Sequence, residues 1–208
     1  MNATHDVAPF LADHLALDFL NTRYMTAAGA IDTIDEAPKL AAWLNAARRT
    51  HPDAFAAGYA SNVTPATVAR ALALREWLRA RLAQGARQAR NADGDFALLN
   101  RVLASGARQR EVVAEKNRLA LHETVRADGP DAPLLPIAEA IAALLCEGDL
   151  ARVRKCGNDA CVLWFYDRTK SGRRRWCSMA VCGNQAKVKA FRRRERARAG
   201  RRRSKANG

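Results

Sequence analysis

Through the first 150 residues, apolar side chains recur at helical spacing, and the breaks in that rhythm divide the chain into elements. Phe10, Leu11, Leu15, Leu17, Phe19 and Leu20 give the opening segment an apolar face at helical spacing up to about Thr22. "RYMTAAGAIDTI" (23–34) sets β-branched and aromatic residues around Gly29 and predicts two short strands and a turn. Asp35, Glu36 and Pro38 mark a helix start; that helix buries Leu40, Trp43 and Leu44 and ends near Arg49. Thr64 and Pro65 predict a capped helix in which Val68, Leu72, Leu74, Leu78 and Leu82 run for about six turns. Asp95 is placed to cap "FALLNRVLAS", where Phe96, Leu99, Val102 and Leu103 share a face. "NRLALHETV" (117–125) alternates as a strand does. Pro136 opens a helix with Ile137, Ile141, Leu144 and Leu145 inward, and Gly148 stops it. Cys146 falls on that apolar face and reads as a small buried hydrophobe.

Near residues 149–154 the pattern changes, and charge shows how sharply. Residues 1–150 hold 16 Lys/Arg against 18 Asp/Glu, whereas residues 151–208 hold 19 against 3, so the net +14 belongs to the last quarter. A near-neutral body with a basic end predicts a polyanion-binding module attached to a separate domain. The expected division is a mostly helical domain over 1–150, a small module over 151–199 and a basic flexible tail over 200–208. No apolar run approaches the ~18 residues of a membrane span. The early charges are Asp6, Asp13 and Asp18 rather than a positive leader, so neither membrane nor secretion is expected. The expected location is the cytoplasm, associated with the nucleoid. In that reducing compartment clustered cysteines favour metal or catalysis over disulfides.

Cys156, Cys161, Cys177 and Cys182 form C-x4-C, a gap of fifteen residues, and C-x4-C again. Two cysteine pairs around a hairpin-sized insert are the pattern of a structural Zn²⁺ site, with an iron–sulfur or redox centre and disulfides as the alternatives. "VLWFY" (162–166) reads as a strand, "RTKSG" with Gly172 as a turn, and "RRRWC" (173–177) as the returning strand. The four histidines, His5, His14, His51 and His122, lie outside this segment, so the local site would be all-thiolate. Zinc would add roughly 10–16 kcal/mol of apparent stability to a module too short to fold on its own apolar residues.

"RKCGNDACVLWFYDRTKSGRRRWCSMAVCGNQAK" (154–187) closely resembles the CGNR zinc-finger family of bacterial proteins. It has the paired cysteines, the F-x-D-x-[ST] strand end, the "RRWCSM" return and a Cys-Gly-Asn turn before a basic helix. "LALDFLNT", "APKLAAWL", "ALREWL", the "LN" of "DFALLN" and "LLPIAEAIAALL" resemble the ABATE domain that usually precedes this finger. The resemblance implies stress-linked transcription regulation with the finger on DNA. Gln185 departs from it, standing where the family has arginine.

The expected fold is α+β: a predominantly helical N-terminal domain plus a treble-clef-like zinc module of knuckle, β-hairpin and basic C-terminal helix. That helix is expected from a Ser178 cap to Ala199, with Val188 and Phe191 packing on Trp164, Phe165, Tyr166 and Trp176. Arg173, Arg174, Arg175, Lys189, Arg192, Arg193 and Arg194 are the expected phosphate contacts, with Arg196 and Arg198 beyond them on the same helix; Gln185 and Lys187 are the expected base-edge contacts. Asp18, Asn21 and Arg23 read first as capping and local hydrogen bonding, and as a ligand pocket in the functional alternative. No Gly-rich phosphate loop, His-Glu metal pair or nucleophile elbow occurs, so no enzyme is expected. The leading expectation is a DNA-binding transcription regulator whose N-terminal domain senses an unknown small-molecule effector or forms a homodimer. RNA or ribosome association and a zinc-stabilised protein-interaction module are the alternatives.

Overall fold

Capped, leucine- and alanine-rich segments become helices around one short buried one. The computed structural model describes residues 10–26, 29–55, 62–91 and 94–206, leaving aside the side chains of Arg108 and of residues 197–206. The sequence readings of residues 1–9, of 207–208 and of the Arg198 side chain lie outside the described residues. Helix α1 (Leu15–Leu20) is shorter than its apolar face suggests, because His14 caps it and Asp13 ahead of the cap has a φ of 57°. All six of its residues are buried, and it packs against two longer helices, α3 (Pro65–Ala83) and α6 (Leu135–Cys146). Such all-round burial suits a helix that is apolar on every side but one. The exception is Asp18, whose carboxylate accepts from the Ala12 amide at 2.9 Å and lies 2.8 Å from His51 Nε2.

Helix α2 (Ala37–Thr50) follows its expected start and buries Leu40, Trp43, Leu44 and Ala47. Trp43 stacks with Phe10 at 5.6 Å between ring centres and meets Phe19 at 5.8 Å. In α3 the expected cap is a reciprocal box, with Thr64 and Thr67 each bonding the other's backbone N–H. A short turn, α4 (Ala86–Ala89), precedes α5 (Ala97–Leu103), where the Asp95 carboxylate accepts from the Ala97 amide at 2.8 Å. Helix α6 buries its expected apolar residues. Cys146 does not join them: as the last residue of the helix it is exposed, so the expectation of a buried hydrophobe is corrected.

Three antiparallel two-stranded sheets complete the fold. The first is the expected hairpin, β1 (Arg23–Thr26) with β2 (Gly29–Asp32). Buried Arg75 from α3 grips its Asp32 with two bonds, at 2.8 and 2.5 Å. The second pairs β3 (Gly106–Glu115) with β4 (Arg118–Ala127) over ten residues each. Of these, β4 matches the alternating segment read from the sequence, and β3 is an element that reading did not contain.

The third sheet lies in the cysteine module, and its partners differ from expectation. Strand β6 (Trp164–Tyr166) pairs with β5 (Val153–Lys155), upstream of the first cysteine, rather than with the "RRRWC" return. The return stays irregular because its backbone donors are taken elsewhere. The Arg174 amide bonds the Asp167 carboxylate at 2.9 Å, and the Cys177 amide points to Cys156 Sγ at 3.4 Å. The chain then makes one wide turn over Met179–Gly183, which Ser178 caps, and enters α7 (Asn184–Ala206).

The two parts of the chain are sewn together along the free edge of β6. Asn21 Nδ2 donates to the Trp164 carbonyl and Asn21 Oδ1 accepts from the Trp164 amide, both at 2.8 Å. The Tyr166 amide donates to the Ala12 carbonyl at 2.8 Å. Trp164 and Tyr166 therefore pack on the core around α1, and Phe165 is fully buried on the cysteine side. Val188 and Phe191 remain 48% and 61% exposed, which corrects the expectation that they pack on these aromatics.

Candidate metal centre and basic helix

Sequence spacing brings Cys156 and Cys161 together in the loop between β5 and β6, and Cys177 and Cys182 around the turn into α7. All four Sγ atoms lie within 4.8 Å of one another. Cys161 and Cys177 are 3.8 Å apart and Cys177 and Cys182 are 3.6 Å apart. Metal–sulfur bonds of about 2.3 Å, the zinc value, put the corners of a tetrahedron about 3.8 Å apart, so the thiol set fits such an ion. Three of the four cysteines are buried, and Cys161 is half-buried.

The thiols act on one another. A hydrogen bond with Cys177 draws the Cys161 thiol down to about 5, against the opposing effect of burial. Cys177 is pushed up by the same bond and by its burial, and burial is the main cause of the rise at Cys182. A bound dication is what makes four thiolates compatible in this volume.

Around the thiols is a scaffold that the cysteine pattern does not announce. Asn158 is buried, and its Nδ2 points to Cys182 Sγ at 3.6 Å and to Gln185 Oε1 at 2.9 Å. Gln185 is thus an exposed residue whose amide oxygen is turned inward to the cluster rather than outward as a base-reading group. One signal could have flagged Asn158: Cys-Gly-Asn occurs twice, at 156–158 and 182–184. The Gly157 amide donates to the Arg175 carbonyl at 2.8 Å, and a Cβ here would meet that oxygen at 3.1 Å, so the first loop packs tightly against the return and a side chain would push the two apart by a few tenths of an ångström.

Asp167 gives the F-x-D-x-T stretch its physical meaning. Its carboxylate is buried, which acts to raise its pKa. Hydrogen bonds from the Thr169 hydroxyl (2.6 Å), the Thr169 amide (3.0 Å) and the Arg174 amide (2.9 Å) outweigh burial and hold it below the usual carboxylate range. The "RTKSG" turn after it contains Gly172 at a φ of 60°.

The expected contact residues divide into two sets. Arg174 is inside the structure: its guanidinium bonds the carbonyls of Trp176, Leu11 and Cys177, pairs with the Asp13 carboxylate and covers the Phe165 ring at 4.5 Å. It is a clamp between the two parts of the chain, which corrects its expected role as a phosphate contact. Arg173 and Arg175 are exposed, the latter lying over the Trp176 ring at 5.1 Å. Lys187, Lys189, Arg192, Arg193, Arg194 and Arg196 are exposed along α7, with Glu195 as the acidic residue among them.

Asp18, Asn21 and Arg23 do not converge on a pocket. Asp18 and Asn21 spend their polar atoms inside the fold, and exposed Arg23 lies 3.9 Å from Glu76. A cavity of about 550 Å³ does lie beside the cysteines, between Leu11 and β1 on one side and Val162, Leu163 and Val181 on the other; none of the three residues lines it.

Comparison with protein families agrees with this organisation. The profile of ABATE, described as "Putative stress-induced transcription regulator", matches residues 13–148. The chain belongs to the ABATE family. The CGNR zinc-finger profile matches residues 152–195, so the domain order is ABATE followed by finger. No curated protein matches the chain. In this ABATE protein the joint between the two matched regions falls beside β5, and the finger's hairpin is hydrogen-bonded to the Asn21 that ends α1. Among the described residues, no helix is long and apolar enough to cross a membrane.

Proposed function

We propose that this protein is a DNA-binding transcription regulator in which a structural Zn²⁺ ion, held by Cys156, Cys161, Cys177 and Cys182, fixes the base of α7 for docking on DNA. The observation that carries this reading is the placement of the four thiols directly at the N-terminal end of a helix with six exposed basic residues. Four protein ligands leave no coordination position for a reacting water, so the site is structural and the role is binding rather than catalysis. Arg173 and Arg175 extend the basic surface from the irregular return, and α7 supplies the element that enters a groove between phosphate walls.

The test is selection of bound sequences from random duplex DNA with the zinc-loaded protein, followed by a salt titration on the selected duplex. Neutralising 6–10 phosphates predicts a fall in affinity of roughly 10³–10⁵ between about 50 and 200 mM salt. Structured RNA is the competitor in the same assay. No selected sequence, a salt-insensitive complex, or displacement by RNA at equal concentration would overturn the reading.

A further inference from the structure

The cavity beside the cysteines is walled by two distant parts of the chain. Leu11 and the β1 residues Tyr24, Met25 and Thr26 form one side; the cysteine loops, with Val162, Leu163 and Val181, form the other. Both walls are held by bonds within the chain. Arg75 grips Asp32 on the strand paired with β1, and Arg174 donates to the Leu11 carbonyl at 3.0 Å. The Leu163 carbonyl accepts from the Cys156 amide at 2.8 Å, and Ser178 caps the wide turn that carries Val181. At about 550 Å³ the cavity lies within the ~300–1,000 Å³ range of small-molecule sites, which favour joints between domains. Met25 and Val181 are 49% and 54% exposed, so it can be entered past them.

The lining narrows the occupant. Lys, Arg, Asp and Glu make up 27% of the chain, yet none of them lines this cavity. A carboxylate or phosphate would lose water there without gaining a counter-charge. On the zinc-bound reading proposed above, four thiolates around a dication also give the wall a net negative charge, which turns anions away. Leu11, Met25, Val162, Leu163 and Val181 offer apolar contact. The side-chain amides of Asn158 and Gln185 are engaged with each other at 2.9 Å. Ser178 Oγ accepts from the Val181 amide at 3.4 Å and keeps a second lone pair, with which it can accept from a ligand. We propose that this cavity binds a neutral, largely apolar small molecule carrying a hydrogen-bond donor. Its occupant touches the N-terminal region and the cysteine loops at once.

Fluorescence titration of N-phenyl-1-naphthylamine into the zinc-loaded full chain, without nucleic acid, tests this separately from DNA binding. Zinc content, read beforehand with a chromophoric chelator, separates a failure of the metal reading from a failure of this one. The probe is neutral and apolar with a single N–H, and is expected to bind saturably with a Kd on the order of 10 µM. 4-Phenylphenol is expected to displace it; biphenyl-4-carboxylate, the same framework with a negative charge, should do so at least about tenfold less well. Val162→Trp fills the cavity and is expected to weaken binding by about tenfold. Met25→Glu, at a position exposed enough to carry a charge in the fold, is expected to weaken it by about threefold. Both variants should keep the wild-type circular-dichroism spectrum. Leu121→Glu, on the exposed apolar face of the β3–β4 ribbon, is expected to change nothing, which separates the cavity from that surface. Absence of saturable binding overturns the proposal. So does wild-type affinity in both cavity variants, loss of binding in Leu121→Glu, or a carboxylate that competes as well as the phenol.

Discussion

Arg174 and Arg175 are neighbours of the same type with opposite duties, and the difference lies in what surrounds each guanidinium. Arg174 satisfies three carbonyls and an aspartate across the joint between the two regions, whereas Arg175 faces solvent over Trp176. Replacing Arg174 by alanine is expected to lower stability by about 2–4 kcal/mol, since it strands partly buried acceptors; urea unfolding measures this. Arg173→Ala with Arg175→Ala is expected to leave stability within about 0.5 kcal/mol and to reduce the slope of log affinity against log salt by about 2. Gln185 belongs with Arg174 rather than with the outer cations. An arginine there has no acceptor for the Asn158 amide, so glutamine supplies a brace beside Cys182 that an arginine could not. Gln185→Ala is expected to speed metal transfer to a chromophoric chelator by about tenfold, as loss of an outer-shell partner does. An unchanged rate would show that the amide pair contributes nothing to metal retention. Cysteine spacing made the thiol cluster legible in advance; the roles of Arg174, Asn158 and Asn21 were not, because their partners are fixed only by tertiary placement. For Asn21 that partner is 143 residues away.

At the level of elements, caps and prolines carried the most information. Thr64, Pro65, Asp95 and Pro38 each stand at a helix start, where they satisfy or dispense with amides that have no partner inside the helix. Strand β3 escaped because Val112 and Val113 are the large apolar residues among its ten; pairing with β4, not burial, makes it a strand. The shortness of α1 traces to His14, whose Nδ1 accepts from the Ala16 amide at 3.2 Å and must be neutral to do so. Burial, followed by the charges of Arg168 and His51, lowers its pKa from 6.5 to about 4. The unfolded chain therefore takes up this proton first as pH falls. His14 costs no stability above pH 6.5, and between about 6.5 and 4 the fold loses about 1.4 kcal/mol per pH unit through this group. His14→Asn keeps the cap without the titration, so urea unfolding across that range should show a shallower acid slope than wild type. Equal slopes would remove His14 as a cause of acid sensitivity. Asn21→Ala leaves the amide and carbonyl of Trp164 without their partners on α1, and is expected to lower stability by about 2–4 kcal/mol.

Taken whole, the molecule is less divided than its sequence. The sharp change of charge and composition near 149–154 is real, but strand β6 belongs to both sides of it: it bonds β5 along one edge and Asn21 and Ala12 along the other. Composition could not reveal this, since neither amide bonds nor the Trp164 and Tyr166 contacts leave a mark on charge balance. The consequence for the metal is asymmetric. Cys156 and Cys161 hang from a hairpin fastened to the core and Arg174 holds the Cys177 carbonyl beside Leu11, while Cys182 precedes a helix whose Val188 and Phe191 are largely exposed. Chelation is expected to leave the core protected from hydrogen exchange, including the Trp164 and Tyr166 amides, while protection over 179–196 is lost; uniform loss of protection would contradict this. An ion held there would work less as ballast for a small domain than as a mooring pin. On the zinc-bound reading proposed above, three of the ligands would be bolted to the quay and Cys182 alone would ride with the vessel, so loss of the ion would leave the basic helix to swing on its tether.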